Sequence, residues 1–348
     1  MDFQLYYVSC HENIPDTAWK NALETQLTAS EVKSVTSYVF RKDQERSLLS
    51  LLLQKYVVRK FLTDLRTTST SALAAQLVDQ CNENSFQISR TRENKPFASL
   101  TSQPLLTLIR DAGCGFFNYN VSHHGSFVGI ASHASLLIGV DIVDISSRAS
   151  WVSGLTEFVE IYRKQLSERE MKLITDQSTE RESYTLFYIL WSLKEAYVKA
   201  IGVGIGIDLQ QVEFDVIFDS TAKEPTSDDS CCQCLFRGSA TFTLHGVVND
   251  DWQFQFLSLD SVHIMTVARG PPSAALSSYA AAAWPHISPT QVPHDNFTIA
   301  CSQSKAAITG SAKCDSIFDF DQGDRGNRAL LCALPAPTQL TLEDIVIM

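Results

Sequence analysis

Residues 186–202 read LFYILWSLKEAYVKAIG, a run so nearly apolar that, wound as a helix, it has almost no face fit for water. Such a helix has to be enclosed, so the chain needs a core large enough to wrap it. With 348 residues and 45% hydrophobic side chains it has the means. Yet Lys194, Glu195 and Lys199 put three charges within six positions of that run. At the helical repeat Trp191, Glu195 and Lys199 stack along one side, four residues apart. The plain alternative is a Glu–Lys pair on a wet helix face, worth roughly 0.3 kcal/mol. The aromatic and aliphatic surroundings argue for a task instead, because a lone charge is costly there.

A second carboxylate is as oddly placed. In LLIGVDIVDI (136–145), strand alternation sets Ile138, Val140 and Ile142 on one face and Gly139, Asp141 and Val143 on the other. Asp141 then sits among β-branched residues and needs a cation; Asp144 reads as structural, at the strand's end. If Asp141 and Glu195 converge, two carboxylates without thiols or imidazoles suit Mg2+, which completes its shell with waters and phosphate oxygens. NVSHHGS (120–126) adds a polar patch of Asn120, Ser122, His123 and the flexible Gly125, with one of His123 and His124 structural. SRTRENKPF (89–97) places Arg90, Arg92 and Lys95 on a hairpin that is either a solvated turn or a phosphate clamp.

The organisation around these motifs is α+β. Residues 17–62 read as helical, SALAAQLVDQ as a further helix, and FQISRTRENKPFA as a hairpin turning at Asn94-Lys95-Pro96. Two or three strands fill FNYNVSHHGSFVGIASHASLLIGVDIVDI, helix returns over 151–201, and antiparallel strands follow over 212–268. There is no βαβ alternation and no P-loop. From 271 onward Ala, Ser, Thr and Pro dominate, and this stretch is expected to be a mobile tail with a short apolar end.

Composition excludes several classes. A net charge of -11 argues against a general nucleic-acid binder. No apolar window approaches the roughly 20 residues of a membrane span, and the start lacks a secretory pattern. Nine scattered cysteines suit reduced thiols in the cytosol; the C-x-x-C at 231–234 lacks a second pair for a zinc finger.

NVSHHG (120–125), GVDI (139–142) and WSLKEAYVKAIGVGI (191–205), preceded by RENKPF (92–97), resemble in order and spacing the signatures of the surfactin-type 4′-phosphopantetheinyl transferases. The likeness covers about residues 5–270. It implies a monomeric pseudo-dimer, with an N-terminal half over 1–134, a C-terminal half over 135–270 and coenzyme A in the cleft between them. It implies transfer of phosphopantetheine from coenzyme A to a carrier-protein serine, in partners of the fatty acid synthase or aminoadipate reductase type. By resemblance Asp141 and Glu195 hold Mg2+, Glu195 takes the serine proton and Lys199 stabilises the leaving group. His123, Arg90 and Lys95 hold phosphates, with Asn120, Val121 and Ser122 lining the site and Arg92 as a further candidate.

Two departures stand out. Bacterial members carry a third acid two residues after the Asp, where this chain has Val143, and Ser34 replaces a basic residue that animal members use for the nucleotide. Lys33, Arg41 or Arg46 are the candidate substitutes, and Lys42, Arg46, Arg163 and Lys164 are candidate docking cations for an acidic carrier. A lapsed, non-catalytic coenzyme A or carrier-binding module is the alternative; against it, the charged positions that metal and proton transfer require are filled.

Overall fold

A computed structural model describes residues 3–10, 14–68, 86–100, 102–146, 154–204, 206–219, 236–285, 287 and 338–347. The chain opens with strand β1 (Gln4–Ser9), then helices α1 (Asp16–Gln26), α2 (Ala29–Thr36) and α3 (Arg41–Thr68). A hairpin of β2 (Phe86–Arg90) and β3 (Pro96–Leu100), helix α4 (Gln103–Asp111) and strands β4 (Asn118–His124), β5 (Phe127–His133) and β6 (Leu137–Asp144) follow. Helices α5 (Leu155–Ile161), α6 (Glu168–Thr175) and α7 (Glu180–Ile201) lead into β7 (Val212–Phe218), β8 (Arg237–Leu244), β9 (Val247–Val248), β10 (Gln253–Ser258) and β11 (His263–Gly270). The expected helix over SALAAQLVDQ and the C-x-x-C at 231–234 lie outside the described residues.

Two sheets stack between two long helices. One has the order β4–β5–β1, the other β6–β11–β10–β8–β7. Alternation decides the layers. Leu5, Tyr7, Phe127 and Ala131 meet Ile138, Val140, Ile142, Met265 and Val267 between the sheets, while Val8, Val128 and Ile130 pack with α3 residues such as Leu52 and Leu53 on the other side. The second sheet turns its remaining face to α7, which buries Phe187, Leu190, Leu193 and Ala196. β6 is therefore covered on both faces, as its near-continuous apolar run required. Helix starts follow local chemistry: Thr28, Ser167 and Thr179 form capping boxes with Glu31, Glu170 and Glu182. Gly202, at φ 77°, ends α7 in the left-handed conformation.

The sheets also meet edge to edge. Asn118, Asn120 and Ser122 lie on the same side of β4, and their oxygens accept hydrogen bonds from the backbone N–H groups of Ile138, Val140 and Ile142 at 2.9, 2.7 and 3.2 Å. A ladder of side chains replaces a backbone ladder between β4 and β6.

The stretch expected to be a mobile tail is partly folded onto this frame. A 3-10 turn at Pro272–Ala274 leads into α8 (Ser277–Ala283), which buries Tyr279 fully and Trp284 nearly so. The Trp284 indole donates to the Phe117 carbonyl at 3.2 Å. Farther on, β12 (Thr338–Gln339) pairs in parallel with β1, and α9 (Leu342–Ile347) follows. Leu340 and Ile345 join the core around α3. Composition argued for disorder; a few apolar anchors outweigh it. Among the described residues no helix is long and apolar enough to cross a membrane.

Candidate active site

The site forms where α7 crosses β6. Gly139 permits the crossing, since a Cβ at that position would overlap the Ala196 carbonyl oxygen and crowd the Ala200 backbone nitrogen. Asp141, two residues on, is 5% exposed and points the same way. Its Oδ1 lies 2.5 Å from the Lys199 ammonium and accepts from the Ser122 hydroxyl at 3.3 Å, while Oδ2 is buried without a hydrogen-bond partner. Lys199 also donates to Ser122 Oγ at 3.2 Å, so three polar groups from β4, β6 and α7 share one point. Glu195, one turn before Lys199, completes the group. Burial pushes its carboxyl above the usual range; Lys199 opposes that and Asp141 adds to it. Glu195 lies on α7 one turn before the lysine that contacts Asp141, close enough for the charge of Asp141 to act on its carboxyl.

Lys194 has a different task. It is fully buried, pairs with Glu170 at 2.7 Å and donates to the Leu209 carbonyl at 2.7 Å and to that of Val212. It ties α7 to α6 and β7, away from the Asp141 cluster. Asp144, as expected, is structural, its Oδ1 accepting from the backbone and hydroxyl of Ser146.

His123 is exposed at the end of β4, on the opposite side from Ser122. Partial burial of its ring, with the positive charges of Arg46 and Lys199, holds it below the usual histidine range. Arg46 reaches it from α3, donating to the Gly125 carbonyl at 3.3 Å and pairing with Asp43 at 2.5 Å. Of the three candidate replacements for the base absent at Ser34, Arg46 is the one seen to touch this hairpin. Arg41 pairs with the buried Glu45 at 2.9 Å, and Arg163 with Glu160 at 2.8 Å.

The other expected ligands have these partners. Asn120 is buried and its Oδ1 is committed to Val140 N–H in the inter-sheet ladder. Val121 packs towards α3. Arg90 is exposed and donates to the Asn94 carbonyl at 3.0 Å, bracing a turn whose Asn94 has φ 69°. Arg92 is exposed. Lys95 is 5% exposed, with its Nζ on the backbone carbonyls of Ile138, Lys199 and Ala200 and 4.7 Å from the Tyr279 ring centre. Burial pushes its amine down to about 7, and the three carbonyl oxygens and the ring face favour the ammonium. Sequence reasoning passed over Asn118 and the support that His263 gives Gly125. A Cβ at Gly125 would collide with the His263 ring, which is held by Asp260 at 3.0 Å. The N-x-N-x-S spacing of 118–122 was the available signal for the ladder.

Among the described residues no group of three or more His, Cys, Asp and Glu side chains gathers in a metal-holding cluster. The two carboxylates, one with an unpartnered buried oxygen, fit a hard divalent ion that takes its other ligands from water and phosphate.

Two family models match the chain. One, described as the 4′-phosphopantetheinyl transferase superfamily, matches residues 137–254, and the other, 4′-phosphopantetheinyl transferase, N-terminal, matches residues 15–135. The chain is 26% identical over 271 residues to the L-aminoadipate-semialdehyde dehydrogenase-phosphopantetheinyl transferase of Homo sapiens, spanning 77% of this chain and 74% of that one. It is 28% identical over 258 residues to the phosphopantetheinyl transferase of a Thraustochytrium species, spanning 73% and 74%. A similar match, 26% over 189 residues and 52% and 60% of the two chains, is found with the L-aminoadipate-semialdehyde dehydrogenase-phosphopantetheinyl transferase of Schizosaccharomyces pombe.

Proposed function

The chain belongs to the 4′-phosphopantetheinyl transferase superfamily, and from that premise we propose that it moves the phosphopantetheine arm of coenzyme A onto a serine of an apo carrier-protein domain. The observation that carries the assignment of roles is the meeting of Asp141, Ser122 and Lys199 at one point, with Glu195 one helical turn before Lys199.

We read 1–134 and 135–270 as two similar halves, with coenzyme A in the cleft between them. The side-chain contact of β4 with β6 near that boundary supports this reading. The carrier serine oxygen attacks the β-phosphorus of coenzyme A, the bond to the oxygen bridging the two phosphoryl groups breaks, and 3′,5′-ADP departs. Glu195 receives the serine proton; burial raises its carboxyl pKa, the direction that makes a carboxylate a stronger base. Lys199, with its side chain 31% exposed, can turn its ammonium from Asp141 towards the charge that develops on the leaving group. At the hairpin end of β4, Arg46 is the cation offered to the nucleotide phosphates, and the His123 ring, held below the usual histidine range, offers them a neutral N–H donor. Mg2+, which Asp141 and Glu195 would hold, supplies neutralisation of the diphosphate charge when bound.

The proposed setting is a cytosolic monomer acting on carriers of the fatty acid synthase or aminoadipate reductase type. The test is mass spectrometry of an apo carrier protein mixed with coenzyme A, Mg2+ and the full chain. The carrier should gain one phosphopantetheine group, and Glu195→Gln should abolish the gain in a folded protein. Coenzyme A binding with no gain on any carrier would favour the non-catalytic module instead.

A further inference from the structure

We propose that Lys95 is a positioning residue for the transfer reaction, pinning the C-terminal end of α7 to β6 and so fixing Glu195 and Lys199 relative to Asp141. The inference rests on the roles proposed above for those three residues.

A helix leaves its last carbonyls without partners within the helix. In α7 each is accounted for. The Val198 oxygen accepts from Gly202 N–H at 3.0 Å and the Ile201 oxygen from Leu276 N–H at 2.9 Å. The Lys199 and Ala200 oxygens, at 2.5 and 2.9 Å, both accept from Lys95 Nζ. The third N–H of the ammonium goes to the Ile138 oxygen at 3.1 Å, on β6. One cation therefore ties the backbone of Lys199 to the strand that carries Asp141 three residues on. A positive charge is favoured at this end of a helix, where the backbone dipoles leave partial negative charge. The Tyr279 ring from α8 covers the amine, and a Cβ on Gly202 would press on the Lys95 side chain at 3.0 Å. Enclosed in this way, with its donors spent on backbone oxygens, the lysine has no path to a phosphate. The basic hairpin motif acts on the chemistry through the end of the helix.

Gly139 and Lys95 are complementary devices. Gly139 lets α7 and β6 approach, and Lys95 fixes how far the helix can slide or lift once they have met. The Asp141–Lys199 contact spans the same two elements, so a small displacement there is felt at the reacting groups.

The experiment compares wild type with Lys95→Met in the full chain, by steady-state kinetics and by amide hydrogen exchange over 198–203. A shift of about 1 Å in reacting groups costs on the order of 100-fold, so kcat should fall by about that factor while KM for coenzyme A stays within about threefold. Exchange at Gly202 should accelerate while the β4–β5 hairpin is unchanged. A tenfold or larger rise in KM with kcat preserved would overturn the proposal by marking Lys95 as a phosphate contact. Wild-type kcat and KM in a folded variant would overturn it too. Should Lys95→Met fail to fold, Lys95→Leu, which likewise has no donor, is read by the same criteria. If the wild type transfers nothing, the functional reading fails, and the exchange measurement still decides whether Lys95 holds the helix end.

Discussion

Lys199 Nζ stands 2.5 Å from one oxygen of Asp141, and the other oxygen of that carboxylate is buried with no hydrogen bond. The ammonium neutralises a charge that the strand could not otherwise carry. Lys199→Met should therefore cost about 1–2 kcal/mol in denaturant unfolding of the metal-free protein, less than a fully buried pair because the lysine side chain is 31% exposed. Asp141→Asn in the same background should recover part of that loss. If the double-mutant cycle gives no coupling energy, the pair does not stabilise the fold.

Glu195 predicts opposite effects on turnover and on folding. Glu195→Gln should lower transfer by about 100-fold or more, since the proton acceptor is gone. Burial raises the folded-state pKa of Glu195 above its unfolded value, so the native protein holds this proton more tightly. Its contribution to stability is full below the unfolded value and is lost as pH rises through the folded one. Glu195→Gln should remove that decline, seen in melting temperature measured across this interval.

Gly139→Ala tests the close approach of α7 and β6. The added carbon would meet the Ala196 carbonyl, so the elements must separate. A destabilisation of about 1–3 kcal/mol is expected, with loss of transfer beyond what the unfolded fraction explains. Thermal melts and activity on the same preparation separate the two.

Truncation after residue 270 removes Tyr279, Trp284, Leu340 and Ile345, all buried, together with the Leu276 N–H bond to the end of α7. The truncated chain should lose about 3 kcal/mol or more, judged by calorimetry, because aromatic anchors of this size cost that much singly. A cut after 287, which keeps α8, should be the milder of the two. Composition alone, which suggested a mobile tail from 271 onward, would not have led to this expectation.

Legibility followed periodicity. The alternation through 138–143 put Ile138, Val140 and Ile142 on one face and Asp141 on the other, and the four-residue spacing put Glu195 and Lys199 on one side of α7, because strand and helix repeats are local properties. Antiparallel strands over 212–268 were readable for the same reason. Lys95 was read as a hairpin cation, solvated or gripping a phosphate, since the residues that bury it lie more than 100 positions away, at Lys199 and Tyr279. Asn120 looked like a ligand because a polar residue beside a strand does not declare whether its partner is a substrate or a backbone amide. β1 went unread, a short segment without turn signals, and so did the anchoring of Leu340 and Ile345 against α3, which depends on contacts distant in sequence.

The amide side of β6 that faces β4 has a consequence for behaviour in solution. An outer strand with free N–H groups is a template on which another chain can grow a sheet. In this protein Asn118, Asn120 and Ser122 occupy those donors from within the same molecule. The carboxylate at position 141 thus sits on a strand already sealed against aggregation, and the polypeptide can keep a polar reaction centre at a sheet margin without inviting a stranger to zip onto it.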